Sequence, residues 1–195
     1  MLKHPPHTET SCLVIWTLIG LLLTGLIYLA CYFWVDRAVT MWISHHPMLP
    51  LGNSICHWIA TTLSPHHAAI LAIALFIVII ALFMARKLIR FNQFCLGLFL
   101  SLDITLVIAD LLKYLIGRYR PMWYLNHHLY GFEPFSSPNY LHSSPSGHAS
   151  IFFCIAVALS LWLSRRSMTS LLIIVATMLS ISRILILRHF VADLV

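Results

Sequence analysis

Three short polar clusters in the second half of the chain contain residue types that bind phosphate and transfer it. They are the segment from Lys113 to Arg120 and Pro121, then Pro145, Ser146, Gly147 and His148, and finally Ser182 and Arg183 followed by His189 and Asp193. Arginine and lysine attract phosphate oxygens, and histidine serves as a nucleophile or as a general acid and base. The clusters therefore predict a site for phosphoryl chemistry.

The second cluster directly precedes an apolar run, and this position predicts the start of a helix. Ser146 is a good N-cap, and Gly147 permits close approach of the backbone to a ligand. The unpaired N–H groups and the positive dipole end at a helix start attract anions. With the basic residues of the other two clusters beside it, this helix start is expected to bind phosphate. The alternative, a capped helix with cationic lipid anchors, explains neither His148 nor the third cluster.

The third cluster predicts a nucleophile and the group that orients it. His189 and Asp193 are four residues apart, so on a helix they share a face, and the carboxylate can hold one imidazole nitrogen. Phosphate-monoester hydrolysis is among the slowest uncatalysed reactions, so a protein without a metal needs covalent catalysis and charge stabilisation. We therefore expect His189 to be the nucleophile and His148 the general acid and later general base. A purely structural His/Asp pair is the alternative, and the other clusters weigh against it.

The elements that position these clusters are predicted to be membrane-spanning helices. Hydrophobic residues make up 60% of the chain and charged residues only 9%, against about 25% in soluble domains. Apolar runs occupy residues 12–35, 68–85, 94–112, 149–163 and 168–187, and each is predicted to form a membrane-spanning helix. The fourth run is short and is expected to gain residues at its ends. The prediction is an all-α bundle of five visible helices forming one membrane-embedded domain over residues 1–195.

Charge favours a lipid partner and one orientation. The net charge of +6 is more consistent with anionic lipid than with nucleic acid, because so few charges remain to cover a surface. A count of basic residues on the two sides of the membrane gives six each. The tie breaks toward an outward-facing site if the cluster cations are held there to bind an anion. The expected cytoplasmic residues are then Arg86, Lys87, Arg90, Arg165 and Arg166.

Outside the three clusters, the sequence contains cysteines, paired histidines, aspartates and aromatic residues whose surroundings can also be predicted. The five cysteines are expected to be free thiols, and the histidine pairs at 45/46, 66/67 and 127/128 to be solvated. Asp103 and Asp110 lie within an apolar run, and Asp110 is expected to pair with Lys113. Aromatic residues between the first two clusters could line a lipid entrance or form an interfacial belt. These are Trp123, Tyr124, Phe132, Phe135 and Tyr140.

In order and spacing the three clusters resemble the K-x6-R-P, P-S-G-H and S-R-x5-H-x3-D signature of the type-2 phosphatidic acid phosphatase and vanadium haloperoxidase superfamily. The resemblance implies a helical bundle, a phosphohistidine at His189, acid/base catalysis by His148 and orientation by Asp193. It implies that phosphate is bound by Lys113, Arg120, Ser146, Gly147 and Arg183. No metal and no other cofactor is expected in the phosphatases.

The resemblance further implies a multi-pass lipid phosphatase, and the compactness of the chain favours a bacterial inner membrane. Candidate substrates are phosphatidic acid, phosphatidylglycerophosphate, polyprenyl diphosphate and lipid A phosphate, and the oligomeric state stays open. The alternatives are a vanadate-dependent haloperoxidase and a catalytically weak or dead scaffold that binds anionic lipid. Membrane members of the family usually have six helices, the last beginning near the final His and Asp. A sixth helix is therefore expected to be missing or truncated, with low activity of the 195-residue form.

Overall fold

The computed structural model describes residues 7–47, 50–62, 77, 80 and 89–195. The protein is all-α, as predicted: within these ranges the elements are helices, and extended pairing is limited to isolated bridges from Arg118 to Phe132 and His142. The predicted run at 68–85 lies outside the described residues, apart from Ile77 and Ile80, which are helical.

The N-terminal part forms α1 (His7–Ala30), a π-helical turn (Cys31–Val35), α2 (Asp36–His45) and α3 (Pro50–Thr62). The first two helices and the π-turn run on without a break. The helical stretch therefore ends ten residues after the predicted run, which stopped at residue 35. Residues Val14–His45 are long and apolar enough to cross a membrane. A π-turn inserts extra backbone into a helix and is frequent at functional sites.

The C-terminal part consists of α4 (Ile89–Ile116), α5 (Pro121–His127), α6 (Gly147–Leu163) and α7 (Arg166–Leu185), with short 3-10 turns at Asn139–Leu141 and Ala192–Leu194. Two further stretches have the length and hydropathy of membrane spans, Gln93–Ile116 and Arg166–Leu185, and α6 is a shorter apolar helix. The protein is thus a membrane protein. The fourth predicted run does gain residues at its start, because α6 begins at Gly147.

The described core lies where α4, α6 and α7 pack together. Its buried side chains are Leu102, Ile151, Phe152, Ala156 and Ala176. The two alanines let neighbouring helices approach closely, which is the usual packing of apolar helices in membranes. Because only Ser164 and Arg165 separate α6 from α7, these helices form a hairpin. The start of α6 and the end of α7 therefore lie at one end of the bundle, and Arg165 and Arg166 lie at the other.

Candidate active site

Backbone hydrogen bonds join the three clusters at the end of the α6–α7 hairpin. Ser143 N–H donates to the Arg118 carbonyl at 3.1 Å, which ties the residues just before the second cluster to the first cluster. Ser146 N–H donates to the Asp193 carbonyl at 2.9 Å, which ties the second cluster to the third. The clusters are therefore adjacent in space, as their positions relative to the apolar runs predict.

Gly117 makes the turn that brings the first cluster inward. Its φ is +58°, and a Cβ atom at this position would lie 1.7 Å from the Glu133 carbonyl oxygen. Glu133 N–H donates to the Gly117 carbonyl at 2.6 Å. Only glycine fits this close approach in a left-handed conformation. The turn ends α4 and directs Arg118 into the protein, where its side chain is 0% exposed.

Ser146 caps α6, which confirms that prediction. Its side-chain oxygen accepts a hydrogen bond from Ala149 N–H at 3.5 Å, and its backbone is extended. Gly147 and His148 form the buried first turn of the helix. The His148 ring lies edge-on to Phe152, with 6.1 Å between centroids. The Ser146 N–H bond to the Asp193 carbonyl places the start of α6 at the junction of the clusters, whereas the roles of Gly147 and His148 in binding and catalysis stay predictions.

The geometry of His189 specifies which ring nitrogen carries the proton. Its Nδ1 atom lies 2.7 Å from the Ser143 carbonyl oxygen, which can only accept a hydrogen bond. Nδ1 therefore holds the proton of the neutral ring, and Nε2 keeps its lone pair. Burial lowers the pKa of His189, Asp193 raises it, and the charges of Arg120 and Arg183 lower it. The net pKa lies below the ordinary value, so the ring is neutral at pH 7.

The prediction that His189 and Asp193 share a helical face is wrong. Helix α7 ends at Leu185, Leu187 adopts a φ of +56°, and Asp193 lies in the 3-10 turn Ala192–Leu194. The two side chains still meet, with Asp193 Oδ2 3.7 Å from His189 Nδ1. This distance is too long for the principal hydrogen bond. The Ser143 carbonyl orients the ring, and Asp193 acts on it mainly through its charge.

Asp193 is held by groups that the sequence analysis did not assign to it. Its Oδ2 accepts hydrogen bonds from Ser143 Oγ at 2.5 Å and from Phe190 N–H at 2.8 Å. Its Oδ1 lies 2.5 Å from Arg118 Nη1. Burial raises the pKa of the Asp193 carboxyl, but His189, Arg118 and Ser143 outweigh burial and leave that pKa below its usual value. Asp193 is therefore an ionised carboxylate inside the protein.

Arg118 and Asp36 are buried charged residues that the sequence analysis missed as parts of the site. Arg118 Nη2 forms an ion pair with Asp36 Oδ2, and both side chains are 0% exposed. Arg118 falls among the six unspecified residues of the K-x6-R-P motif, between Lys113 and Arg120. Asp36 follows directly after an apolar run, and a carboxylate in such a place is a functional candidate. That signal was available in the sequence.

Arg183 and Arg120 carry buried nitrogen atoms without partners. Among the described residues, Nε and Nη1 of Arg183 and Nε of Arg120 have no hydrogen-bond acceptor. Arg183 is only 5% exposed. Arg188, which was not predicted as a site residue, is exposed, and its charge lowers the pKa of Arg120. Three arginines thus lie close together, and two of them have buried donors free to meet an anion.

Lys113, another predicted phosphate ligand, forms an ion pair with a carboxylate. Its Nζ lies 2.7 Å from Asp110 Oδ1, so the predicted pairing of these residues is confirmed. The lysine side chain is 13% exposed and the aspartate side chain 72% exposed. The phosphate-binding role of Lys113 stays a prediction.

The remaining predictions have mixed outcomes. All five cysteines are free, and the histidines at 45, 46, 127 and 128 are exposed, whereas 66 and 67 lie outside the described residues. No three His, Cys, Asp or Glu side chains converge as metal ligands in the described part of the chain. Among the aromatic residues, Trp123 stacks on Tyr140 at 4.2 Å, and Phe135 is 67% exposed. Their contact with lipid stays a prediction.

The fold and this cluster define an all-α membrane protein with arginines, histidines and buried carboxylates gathered at one end of its helices. A family model described as the PAP2 superfamily matches residues 92–195, and the chain belongs to this superfamily. Its members are generally phosphatases. Comparisons with curated proteins and with solved structures found no match.

Proposed function

We propose that this protein hydrolyses a phosphate ester or diphosphate of a membrane lipid through a phosphohistidine on His189. The observation that carries the proposal is the buried guanidinium of Arg183, whose Nε and Nη1 lack acceptors among the described residues. A buried cation with unmet donors is costly unless an anion completes it. A phosphate group accepts bidentate hydrogen bonds from guanidinium and suits this position.

In the first step, Nε2 of neutral His189 attacks phosphorus, and the bond from phosphorus to the lipid oxygen breaks. The proton stays on Nδ1, which donates it in a hydrogen bond to the Ser143 carbonyl, so the lone pair remains on Nε2. The positive charge that develops on the ring is stabilised by the Asp193 carboxylate, 3.7 Å away. His148 donates a proton to the leaving alkoxide or phosphate oxygen.

In the second step, His148 removes a proton from water, and the hydroxide formed attacks phosphorus. The bond from phosphorus to Nε2 breaks, and inorganic phosphate leaves. Arg120, Arg183 and the N–H groups at the start of α6 stabilise the extra charge of the transferring group in both steps. Each step returns His148 to the protonation state that the other one needs.

The lipid nature of the substrate follows from the surroundings of the site. Helices long enough to span a membrane meet at the cluster, so a substrate anchored in the bilayer can reach it by lateral diffusion. The same substrate classes expected from the sequence remain candidates: phosphatidic acid, phosphatidylglycerophosphate, polyprenyl diphosphate and lipid A phosphate. We further propose that the site lies at the outer face of a bacterial inner membrane.

Phosphate release by the purified protein tests the proposal. Each of the four candidate lipids is presented in detergent micelles, with His189→Gln as the matched inactive variant. We expect release from at least one lipid by the wild type and none by the variant. Release from no lipid, together with unchanged lipid binding by both proteins, would instead support a scaffold. Halide oxidation with vanadate and peroxide would support a haloperoxidase.

A further inference from the structure

The buried Arg118 links Asp36, in the N-terminal part of the chain, to Asp193, which lies beside the candidate nucleophile. Arg118 Nη1 lies 2.5 Å from Asp193 Oδ1, and Arg118 Nη2 pairs with Asp36 Oδ2. We propose that Asp36 and Arg118 are positioning residues, which hold Asp193 and thereby set the place and the charge environment of His189. This inference rests on the proposed function, since it assigns their role to the same reaction.

Asp36 binds the C-terminal turn in two ways. Its Oδ2 meets the Arg118 guanidinium, and its Oδ1 accepts a hydrogen bond from Ala192 N–H at 2.9 Å. Ala192 is the residue before Asp193, so one carboxylate of the N-terminal helix holds both the backbone and the ion-pair partner of Asp193. Asp36 stands immediately after the π-turn Cys31–Val35. The first membrane helix is thereby attached to the turn that carries Asp193.

An aromatic enclosure fixes the guanidinium of Arg118. Ring centroids lie between 4.6 and 5.8 Å from its Cζ atom. The rings belong to Tyr28, Tyr32, Tyr130, Phe132 and Phe190. Cations are attracted to such ring faces, more strongly where water is excluded. A planar guanidinium held in this way presents two nitrogens in fixed directions, and a lysine would not do so.

The effect on His189 passes through Asp193. Arg118 donates a hydrogen bond to Oδ1 of the Asp193 carboxylate. The other oxygen, Oδ2, accepts hydrogen bonds from Ser143 Oγ and Phe190 N–H. Oδ2 is also the oxygen nearest to His189 Nδ1, at 3.7 Å. The carboxylate orientation therefore determines how much negative charge faces the imidazole. Arg118 balances that charge, and Asp36 in turn balances Arg118.

A role in stability alone is a poor account of this arrangement. Buried ion pairs are often no more stabilising than well-packed apolar residues of similar volume, because burial removes the water that solvated the charges. Two carboxylates on one guanidinium leave this group of three side chains with one net negative charge, which offsets part of the positive charge that Arg120 and Arg183 place near His189. That charge is useful next to a ring that becomes cationic during phosphoryl transfer.

A double-mutant cycle tests the proposal. Asp36→Asn keeps the shape and an acceptor oxygen, and it is made in the wild type and in Asp193→Asn, with phosphate release from short-chain phosphatidic acid as the assay. We expect Asp36→Asn to lower kcat at least about tenfold with little change in KM, since loss of position affects the transition state more than substrate binding. In the Asp193→Asn protein the same change should cost less than about twofold, because residues that act as a unit are not additive.

A second measurement does not depend on activity. Histidine ring titration by NMR, with His189 assigned by His189→Gln, should place the His189 pKa lower in Asp36→Asn than in the wild type. The matched control is Asp103→Asn, which removes an exposed carboxylate from an apolar helix and should leave the His189 pKa and kcat unchanged. If Asp36→Asn does not fold, Arg118→Lys, which keeps the charge but cannot bridge both carboxylates, replaces it in the cycle.

The outcomes separate this inference from the proposed function. Equal fold losses in both backgrounds, or an unchanged His189 pKa, would overturn the positioning role even in an active phosphatase. A wild type that hydrolyses no lipid would overturn the proposed function, and the NMR titration would still decide whether Asp36 and Arg118 govern His189. A lowered His189 pKa with a non-additive cycle supports both.

Discussion

His189 Nδ1 and the Ser143 carbonyl oxygen are joined by a 2.7 Å hydrogen bond. The acceptor belongs to the backbone, so the tautomer of the candidate nucleophile is set by the path of the chain and no side-chain substitution at Ser143 removes it. The Ser143 hydroxyl meanwhile donates to Asp193 at 2.5 Å. One residue therefore holds the nucleophile with its carbonyl and the neighbouring carboxylate with its side chain.

The two histidines should be distinguishable by the step at which turnover stops. His189→Ala removes the nucleophile, so no phosphoenzyme forms and kcat falls by roughly a thousandfold or more. His148→Ala removes the acid and base, so a substrate with a good leaving group still phosphorylates His189, and the intermediate then persists. The measurement is acid-labile, alkali-stable label on the protein after a brief pulse. Label on His189→Ala equal to that on the wild type would contradict the assignment.

Arg183 should act against stability and in favour of phosphate binding. Arg183→Met removes a buried cation with unmet donors, so we expect a higher Tm, by about 2–4 °C for each kcal/mol gained. The same change should weaken inhibition by vanadate about 10- to 100-fold, since a charge-assisted hydrogen bond contributes about 1.5–3 kcal/mol. Arg166→Met, at the exposed start of the same helix, is the control. Vanadate inhibition of Arg183→Met at the wild-type concentration would show that this guanidinium does not bind the anion.

Acidification should destabilise the protein first through His189. Its pKa in the folded protein lies below the ordinary 6.5, so the unfolded chain binds more protons as pH falls through 6.5. The contribution of neutral His189 to the free energy of unfolding is complete above pH 6.5, and it is lost as the pH falls from 6.5 through the pKa of the folded protein. Asp193, whose folded pKa is also lowered, contributes a further loss only as pH falls below its ordinary 3.8. We expect Tm to decrease from pH 7.5 to pH 5, and to decrease less steeply in His189→Gln. Parallel curves for the two proteins would mean that His189 is not buried in its neutral form.

The orientation across the membrane can be measured with single cysteines in a background from which Cys12, Cys31, Cys56, Cys95 and Cys154 have been removed. Asn139 lies at the end of the bundle that carries the site, and Ser167 lies at the start of α7, at the other end. Both are exposed. We expect an impermeant reagent added to intact cells to label a cysteine at 139 and not one at 167. The reverse pattern would place the site in the cytoplasm.

The sequence was informative where local chemistry decides the structure. Ser146 begins α6 because a hydroxyl before an apolar run satisfies free N–H groups, and this could be inferred without a structure. The C-terminal turn could not be inferred in that way. The spacing of His189 and Asp193 suits a helix, but Asp193 is drawn to Arg118, whose contacts with it depend on packing between distant parts of the chain. Leu187 adopts its left-handed φ without the glycine that normally marks such a position.

Asp36 illustrates the other limit of reasoning from sequence. Its type and place were visible, yet nothing local indicates that its partner would be residue 118 rather than a neighbouring cation such as Arg37. Arg37 instead lies over the Tyr130 ring at 5.4 Å. Asp36 pairs with Arg118, 82 positions further along the chain, because the fold brings these two residues together. Long-range pairing of this kind needs the three-dimensional fold.

The π-turn also determines which changes in length the first helix can accept. One residue rotates a helix by about 100°, so an insertion or deletion between Tyr28 and Asp36 would turn the tyrosines away from Arg118 or turn the carboxylate outward. Upstream of Tyr28 the described side chains of the helix are exposed, so a change of length there rotates none of the residues that contact Arg118. In related chains, therefore, the distance from Tyr28 to Asp36 should be constant, while the number of residues before Tyr28 and the identity of its apolar neighbours drift.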